Sequence, residues 1–571
     1  MLKSITGAVA AGIFGSLILS TSVSAQSGTR ITLSDSPQAS QTTQSIVDTP
    51  PIIQAPSQPA IDSMPQLEMR VPTAECNRCE AATVQSFDTC ETQPPKKKCG
   101  CSLCKKKKTG KPSPCAGSHK TLFYANDFSY LGDKDNTANC LGDCFKDRKV
   151  GNCGKLSLGG QMRWRYHSER GMGQQAGFTR FQDTENHFGL GRLRLYADWK
   201  VNNNIRFFAE GIYADVLRGN DEYIERAIDS NRGDFLNLFA DINLDDRTTV
   251  RLGRQELLFG NQRLISPLDW SNTRRRFDGV RTMSKFDKFK LDTFYTQFVP
   301  VQPTDFDTPN EDLHFWGAYA TLTELENKTI DLYYIGLNNN TGPDGFEAVH
   351  TFGSRLQGNT ASKLLYEFEG SVQNGSRDVT DQSLTAWALT GGVGYQFVER
   401  NWKPTLWFFY DYATGDDPTS GTFTRFNDLF PLGHKYLGFI DAVQRRNVAS
   451  PNVRLTMAPT QKLNLLLWYY NFQADNPNDT ILSLGGTPAQ DTSSSDFGNE
   501  LDFIATYKVN ARNTALVGYS HFWRGDRIIG DTDADFLYLQ WTTNRLPPKI
   551  ETGLAISWLL GEFSEGRYLL T

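Results

Sequence analysis

Long apolar runs are nearly absent from this chain of 571 residues. No segment has the roughly 20 consecutive apolar residues that a membrane-spanning helix requires, and the one apolar stretch near the N-terminus is shorter and interrupted. The mean hydropathy of −0.45 and the 39% content of hydrophobic residues also exclude a helical membrane protein. A chain of this kind can reside in a membrane only as a closed β-barrel, in which neighbouring strands satisfy the backbone hydrogen bonds.

A strong charge of one sign is absent too. The 59 Lys and Arg residues nearly balance the 64 Asp and Glu residues, for a formal net charge of −5. This balance says little about partners, because the selectivity of a channel depends on the charges that face its lumen. The barrel sequence also shows no nucleophile–base pair and no metal site, so we predict neither an enzyme nor a cofactor there, and no nucleic-acid partner.

Cysteine is absent after Cys153, and all 10 cysteines belong to one lysine-rich stretch. This uneven distribution indicates a separate module over residues 76–154. In an oxidising periplasm, an even number of cysteines in a short segment is first interpreted as disulfides, and tetrahedral zinc is the alternative. The candidates for either are Cys76, Cys79, Cys90, Cys99, Cys101, Cys104, Cys115, Cys140, Cys144 and Cys153.

The first 25 residues have the pattern of a secretory signal peptide. Lys3 supplies the positive start, an apolar run extends from Ile5 to Leu19, and small residues lead to a cleavage site after Ala25. The alternative, a single membrane anchor, needs a longer and less interrupted apolar run. We therefore expect export, a disordered polar linker over residues 26–75, and the Cys-rich module in the periplasm.

From Lys155 onward the sequence alternates apolar and polar residues, as β-strands with one apolar and one wet face do. In the first stretch Met162 and Trp164 alternate with Arg163 and Arg165. An arginine that faced lipid near the membrane midplane would cost about 2–4 kcal/mol, so the polar set must face inward. The outer face of the fourth stretch is predicted to hold Leu236, Leu238, Ala240 and Ile242.

The connections between these stretches alternate between long and short. Tight turns near 201–204, 245–247, 287–288 and 510–512 separate long segments near 168–186, 216–233, 259–276 and 474–497. This rhythm predicts an all-β, transmembrane antiparallel barrel over residues 155–546, with turns in the periplasm and loops outside the cell. We expect about 18 strands, or 16 if the stretch around Gly353 is not one. A soluble sandwich is the alternative, but its strands average only about five or six residues.

Eight arginines on the wet face are the candidate substrate-binding residues of the lumen. The alternative for each is an arginine paired with a carboxylate, which holds the wall together without meeting substrate. Arg254 and Glu256 fall on the apolar face of a regular strand, which a bulge or an exit from the bilayer would explain. The eight are Arg163, Arg165, Arg192, Arg194, Arg206, Arg251, Arg254 and Arg281. Carboxylates that would keep them apart are Asp198, Glu210, Asp241, Glu367 and Glu369.

Several motifs in order resemble the alginate export family of outer-membrane barrels. They begin with Arg251–Leu257, Gly260–Ile265, Asp269–Asn272 and Arg276–Arg281, and continue with Asp411–Asp416, Gly421–Phe423, Leu432–Gly438 and Gly518–Trp523. The residues that carry the first group are Gly253, Gln255, Glu256, Arg263, Asp269, Trp270, Asn272, Phe277, Asp278 and Gly279. The resemblance extends from about Lys155 to Trp541 and implies an 18-stranded barrel with an arginine-rich lumen, through which an acidic polysaccharide leaves the periplasm.

Two segments each allow two arrangements. The loop with Trp270, Asn272 and the Arg274–Arg276 run is either a constriction in the mouth or a packed outer loop. Residues 547–571 are either a tail or the source of an extra strand near 555–560. Zinc is a candidate cofactor of the Cys-rich module alone.

Three functions follow from these expectations. The first is export of an anionic polysaccharide such as alginate across the outer membrane of a diderm bacterium. The second is a substrate-selective or general porin for small anions or sugars. The third is an envelope-anchoring structural barrel whose Cys-rich module contacts the cell wall or a periplasmic scaffold. The expected partners are acidic polysaccharide and outer-membrane lipid.

Overall fold

The computed structural model describes residues 118–133, 142–152, 154–323, 325–339, 346–377, 382–480 and 488–544. The predicted signal peptide, polar linker and C-terminal tail lie outside these ranges. All the cysteines lie outside them as well, except Cys144, which forms a disulfide bond. The choice between disulfides and zinc for the other cysteines stays a prediction.

Within the described residues, eighteen antiparallel strands form one closed β-barrel. Each strand pairs with its neighbours in chain order, and the last pairs with the first, from Met162 opposite Thr543 to Arg170 opposite Asp535. The strands are β1 (Lys155–Arg170), β2 (Glu185–Lys200), β3 (Ile205–Gly219), β4 (Asn231–Asn243), β5 (Thr248–Gln255), β6 (Arg276–Lys285), β7 (Phe289–Val299), β8 (Leu313–Leu322), β9 (Lys328–Asn339), β10 (Phe346–Asn359), β11 (Leu364–Arg377), β12 (Gln382–Gln396), β13 (Thr405–Ala413), β14 (Val448–Met457), β15 (Leu463–Gln473), β16 (Asp496–Lys508), β17 (Asn513–Arg524) and β18 (Ala534–Thr543).

The predicted number of strands is confirmed, and the stretch around Gly353 is strand β10. Because β18 pairs directly with β1, the barrel closes without residues 555–560, which lie outside the described part of the chain. Short connections alternate with long ones, so the barrel has a short-turn rim, which we call the periplasmic rim, and a long-loop rim. The short connections include 201–204, 244–247, 286–288 and 509–512, and the long ones include 171–184, 220–230, 256–275 and 474–495.

The remaining helices and strands are short and do not belong to the eighteen strands of the barrel. Arg148–Lys149 pairs with the start of β1, and Thr422–Phe423 pairs in parallel with β12. Ala489–Gln490 pairs with Ile528–Ile529. The α-helix α1 is Gly433–Tyr436, and single 3₁₀ turns lie at Phe123–Ala125, Ser129–Gly132 and Asp143–Phe145.

No helix in the residues that the structure describes is long and apolar enough to cross a membrane.

The two faces of the first strand are assigned as predicted. Arg163 and Arg165 are buried inside the barrel, whereas Met162 and Trp164 are exposed on its outer surface. An outer surface this apolar needs lipid around it. Exposed residues of the same kind on other strands include Phe207, Leu252, Val280, Phe408, Tyr469 and Trp541.

Strand β4 departs from the predicted alternation. Leu236, predicted to face outward, is buried, and so is its neighbour Asn237. The register between β3 and β4 shifts where Glu210 and Gly211 face Asn237 and Phe235. A β-bulge of this kind adds a residue to one strand and breaks the alternation of faces. The prediction for Leu236 was therefore wrong, because a period-two pattern assumes a regular strand.

Arg254 does not face the lumen. In the register it lies opposite Leu238, which is exposed on the outer surface, and opposite Asp278. Its guanidinium donates to Asp278 at 2.8 Å and to Asp234 at 3.0 Å. Its predicted place in the lumen is thus wrong, and its contacts join neighbouring strands. Glu256 lies beyond the end of β5 and is fully buried.

Candidate functional site

The β5–β6 loop (256–275) folds into the barrel. Arg163 donates to the carbonyl oxygens of Asp269 and Ser271, at 2.6 and 2.9 Å. Arg192 donates to the Asp269 carboxylate at 2.9 Å. These contacts make the loop a constriction, which is one of the two arrangements expected from its sequence.

Asp269 holds this loop in place by its charge. Burial opposes ionisation of the carboxyl, but the guanidinium groups of Arg274, Arg192 and Arg163 outweigh burial and hold the pKa of Asp269 well below its usual range. Arg274 also donates to Glu256 at 2.5 Å. The loop is therefore docked by a network of charge-assisted hydrogen bonds, which are stronger than neutral ones.

Trp270 lies between a strand residue and a residue of another loop. The Arg165 guanidinium carbon is 3.6 Å from the centroid of the Trp270 ring, and His434 stacks on Trp270 at 3.4 Å with an interplanar angle of 11°. Burial lowers the pKa of His434, so its imidazole is neutral at pH 7, and Nδ1 forms a 2.8 Å hydrogen bond with Asp441. The Trp270 ring therefore packs against a guanidinium from the barrel wall and an imidazole from a second loop.

The second loop is the β13–β14 loop (414–447), which also folds inward and pairs with the first. Ile265 and Phe430 form a parallel bridge, and the Ser266 amide donates to the Phe430 carbonyl at 2.9 Å. Because the two loops bond to each other through their backbones, they form one partition inside the barrel. We call the paired loops, 256–275 and 414–447, the septum.

Glu500 on β16 attaches the septum to the wall. Its carboxylate accepts from the backbone amides of Phe439 and Ile440, at 2.6 and 2.8 Å. Gly438, directly before them, has a φ of +85°, and a Cβ at this position would meet the Glu500 carboxylate. Only glycine adopts this conformation at such a close approach, which explains the glycine that ends the Leu432–Gly438 motif.

A further element inside the barrel comes from the chain before β1. Segment 118–133 inserts Phe123 and Tyr124 between the arginines of the wall. The Arg194 guanidinium is 3.9 Å from the Phe123 ring centroid, and that of Arg251 is 4.2 Å from the Tyr124 ring centroid. The segment thus covers arginines on β2 and β5 that the sequence pattern places in the lumen.

Carboxylates of the wet face pair with lumen arginines, as predicted. Arg194 donates to Glu210 at 2.6 Å, and both side chains are fully buried. Arg206 and Arg251 share Asp241, at 3.3 and 2.7 Å. Further pairs join Arg206 to Asp198, Arg281 to Asp292, and Arg263 to Glu367 and Glu369. Each of the eight predicted arginines thus has a partner within the chain, and its contact with substrate stays a prediction.

Two cavities adjoin the septum. The inner cavity, of about 780 Å³, reaches toward the periplasmic rim, and the other, of about 340 Å³, lies among the loops. Trp270, Leu432 and His434 line both, so they belong to the partition between them. Among the described residues that line the inner cavity, one carboxylate, Asp269, faces the cations Arg163, Arg165, Lys403, Lys435 and Arg454. The outer cavity has Asp428 and Asp441 against Arg180, Arg226, Arg263, Arg275, Arg445 and Arg446.

Three of the inner cations are not among the residues predicted from the sequence. Arg454 could have been found, because it alternates with Leu455 on the polar face of β14. Lys403 and Lys435 lie on connections, where no alternation tells inside from outside. Their place in the cavity follows only from the fold of the loops.

The geometry is that of a closed barrel with an apolar outer surface and an interior of paired arginines. The sequence profile of the alginate export family, described as alginate export, matches residues 154–540. The chain belongs to the alginate export family. As an alginate export family barrel, it is an outer-membrane channel, and its strands cross the outer membrane.

Solved structures with a similar fold include two proteins of Pseudomonas aeruginosa. The outer membrane protein OpdK is 12% identical, with 68% of this chain and 98% of OpdK covered and a TM-score of 0.48. OpdQ is 14% identical, with 68% of this chain and 97% of OpdQ covered and a TM-score of 0.45. No curated protein matches the alginate export family barrel described here.

In the ranges that the structure describes, no group of three or more His, Cys, Asp or Glu side chains is placed to hold a metal ion. Zinc in the Cys-rich module stays a prediction, because nine of the ten cysteines lie outside those ranges.

Proposed function

We propose that this alginate export family barrel exports an anionic polysaccharide, an alginate-like polyuronate, by passive diffusion through its arginine-lined lumen. The charge of the inner cavity carries the proposal, since five cationic side chains line it against one carboxylate. A polyuronate has a carboxylate on every sugar, and a planar guanidinium can bind a carboxylate through two hydrogen bonds. Many weak contacts suit a polymer that must both enter and leave.

The septum must move for a polymer to pass, because Trp270 and His434 stack within the partition between the two cavities. Hydrogen bonds and ring contacts hold it, and loop motions on the nanosecond to microsecond scale are ordinary for such elements. The same closed partition favours a second candidate, a porin for small anions or sugars. Cavities of about 340 and 780 Å³ are of the size that small ligands occupy.

The N-terminal module is placed in the periplasm under this proposal. Asp143 pairs with Arg512 of the 509–512 turn at 3.5 Å, and Arg148–Lys149 pairs with the start of β1. Both contacts lie at the periplasmic rim. A Cys-rich module that enters from this side is available to a periplasmic scaffold or to the cell wall.

Single-channel recording of the full chain in planar bilayers tests the proposal. The blockers are polymannuronate and a neutral glycan of equal length. We expect anion selectivity and block by the polyuronate alone. A conductance that is indifferent to the polyuronate contradicts export and leaves the porin as the better candidate.

A further inference from the structure

Arg454 on β14 has a guanidinium without a partner. Its Nε is buried and has no hydrogen bond, and no side-chain hydrogen bond or ion pair joins it to any residue that the structure describes. The carboxylate of Glu367, which attracts it most, is bound by Arg263 at 2.9 Å. Of its five N–H donors only that of Nε is buried, and the others are open to the inner cavity. The side chain is thus ready for an acceptor that the protein does not provide.

Aromatic rings surround this guanidinium. In the register Arg454 lies directly opposite Trp407 on β13 and Trp468 on β15. Its guanidinium carbon is 5.3 Å from the Trp407 ring centroid, 5.0 Å from that of Phe409 and 4.8 Å from that of Trp468. Cation–π contacts of this kind hold the flat group in place, while its N–H donors remain able to bind an anion.

The position of the cluster fits a passing ligand. Arg454 and Trp468 line the inner cavity together with Lys403 and Lys435. Trp407 lines an adjoining cavity of about 490 Å³ near the periplasmic rim. The cluster thus lies on the part of the wall where space is open, whereas the arginines of β1, β2 and β5 contact the septum or segment 118–133.

We propose that Arg454, Trp407 and Trp468 form a subsite for one carboxylate-bearing sugar ring of the substrate. The guanidinium binds the carboxylate through two N–H groups, and the apolar face of the sugar ring packs on an indole. The proposal rests on the proposed function, because it names where along the lumen an anionic sugar is held. It also assigns a different role to Arg454 than to the paired arginines, whose carboxylate partners are already present.

The experiment measures block of the single-channel current of the full chain by a mannuronate tetramer. Arg454→Gln and Trp407→Leu are each expected to raise the concentration for half block about tenfold. Trp407→Leu is expected to leave block by inorganic phosphate unchanged, because phosphate has no sugar face. Arg247→Gln, which removes an exposed cation in the 244–247 turn, is the control of equal charge and should change block less than twofold.

The outcomes separate the subsite from the proposed function. A wild-type channel that the tetramer does not block contradicts the proposed function itself. If the wild type is blocked and both variants match it, the subsite alone is overturned. If Arg454→Gln weakens block by tetramer and phosphate equally and Trp407→Leu has no effect, the site binds anions in general, which also overturns the sugar subsite.

Arg454→Lys covers the case in which Arg454→Gln does not fold. It keeps the charge but loses the two-pronged hydrogen bonding. We expect tetramer block weakened by several fold and phosphate block nearly unchanged. Tetramer block equal to that of the wild type would contradict the subsite.

Discussion

Trp270 and His434 come from two different loops and stack face to face at 3.4 Å, with 11° between their rings. Their contact lies between the inner and the outer cavity, and both residues line the two spaces. The stack is therefore a contact between the two loops at the boundary of the two cavities.

Trp270→Ala is expected to raise the single-channel conductance several fold, because it removes the ring that spans from Arg165 to His434. The measurement is a planar-bilayer recording in KCl. Trp523→Ala is the control, since Trp523 is exposed on the outer surface of β17. An unchanged conductance in Trp270→Ala would show that the stack does not limit flow.

Arg194→Ala is expected to destabilise the barrel more than it affects transport. Its removal leaves the buried carboxylate of Glu210 without its charged partner, at a cost of about 3–5 kcal/mol. Urea unfolding in detergent, compared with Arg247→Ala at the exposed rim, measures the difference. Equal stability of the two variants would contradict a structural role for the Arg194–Glu210 pair.

Gly438→Ala is expected to loosen the septum, because φ is +85° and a Cβ would meet the Glu500 carboxylate. The strain is worth about 1–3 kcal/mol. Limited proteolysis within 414–447 should become several fold faster. Gly421→Ala is the matched control in the same loop, since a Cβ there meets open space. Equal proteolysis of the two variants would contradict the attachment at Glu500.

Acidification is expected to loosen segment 118–133. Burial first, and then Arg512 and Lys146, lowers the pKa of His119 from its ordinary 6.5 to about 3. Because the docked state disfavours protonation, the stability that neutral His119 contributes is complete above about pH 6.5 and is lost as the pH falls toward 3. Hydrogen exchange of the segment, corrected for intrinsic rates, should show falling protection from pH 6.5 to 4.

The control for this pH dependence is His119→Phe, which keeps an aromatic ring beside Phe128 but cannot take up a proton. Its protection is expected to stay level over the same range. A wild-type segment with constant protection would contradict the assignment to His119.

The barrel wall was largely predictable from the sequence. Residues such as Met162 and Arg163 alternate because lipid contacts one face of the strand and water the other. The sequence of each strand therefore predicts which side chains face the lumen and which face the membrane. Leu236 is the exception, because a bulge changes the count of residues without changing their types.

The interior was less predictable, because it depends on contacts between distant parts of the chain. Nothing near Arg163 in the sequence indicates that the carbonyl groups of Asp269 and Ser271 will occupy it. The polar face of β14 contains Arg454, but its lack of a partner becomes visible only when every neighbouring carboxylate has been placed. The alternation of residue types predicts which face of the barrel a side chain lies on, but not which residues it contacts there.

Asp241 accepts hydrogen bonds from Arg206 and Arg251 at the same time. When an incoming carboxylate binds Arg206, Asp241 therefore loses only one of its two arginine partners, because Arg251 stays bound to it. Arg206 can thus exchange this partner while Asp241 keeps a cation. Under the proposed export function, the lumen would have the chemistry of an ion-exchange resin, on which a polyanion advances by substitution and mobile salt competes for each position.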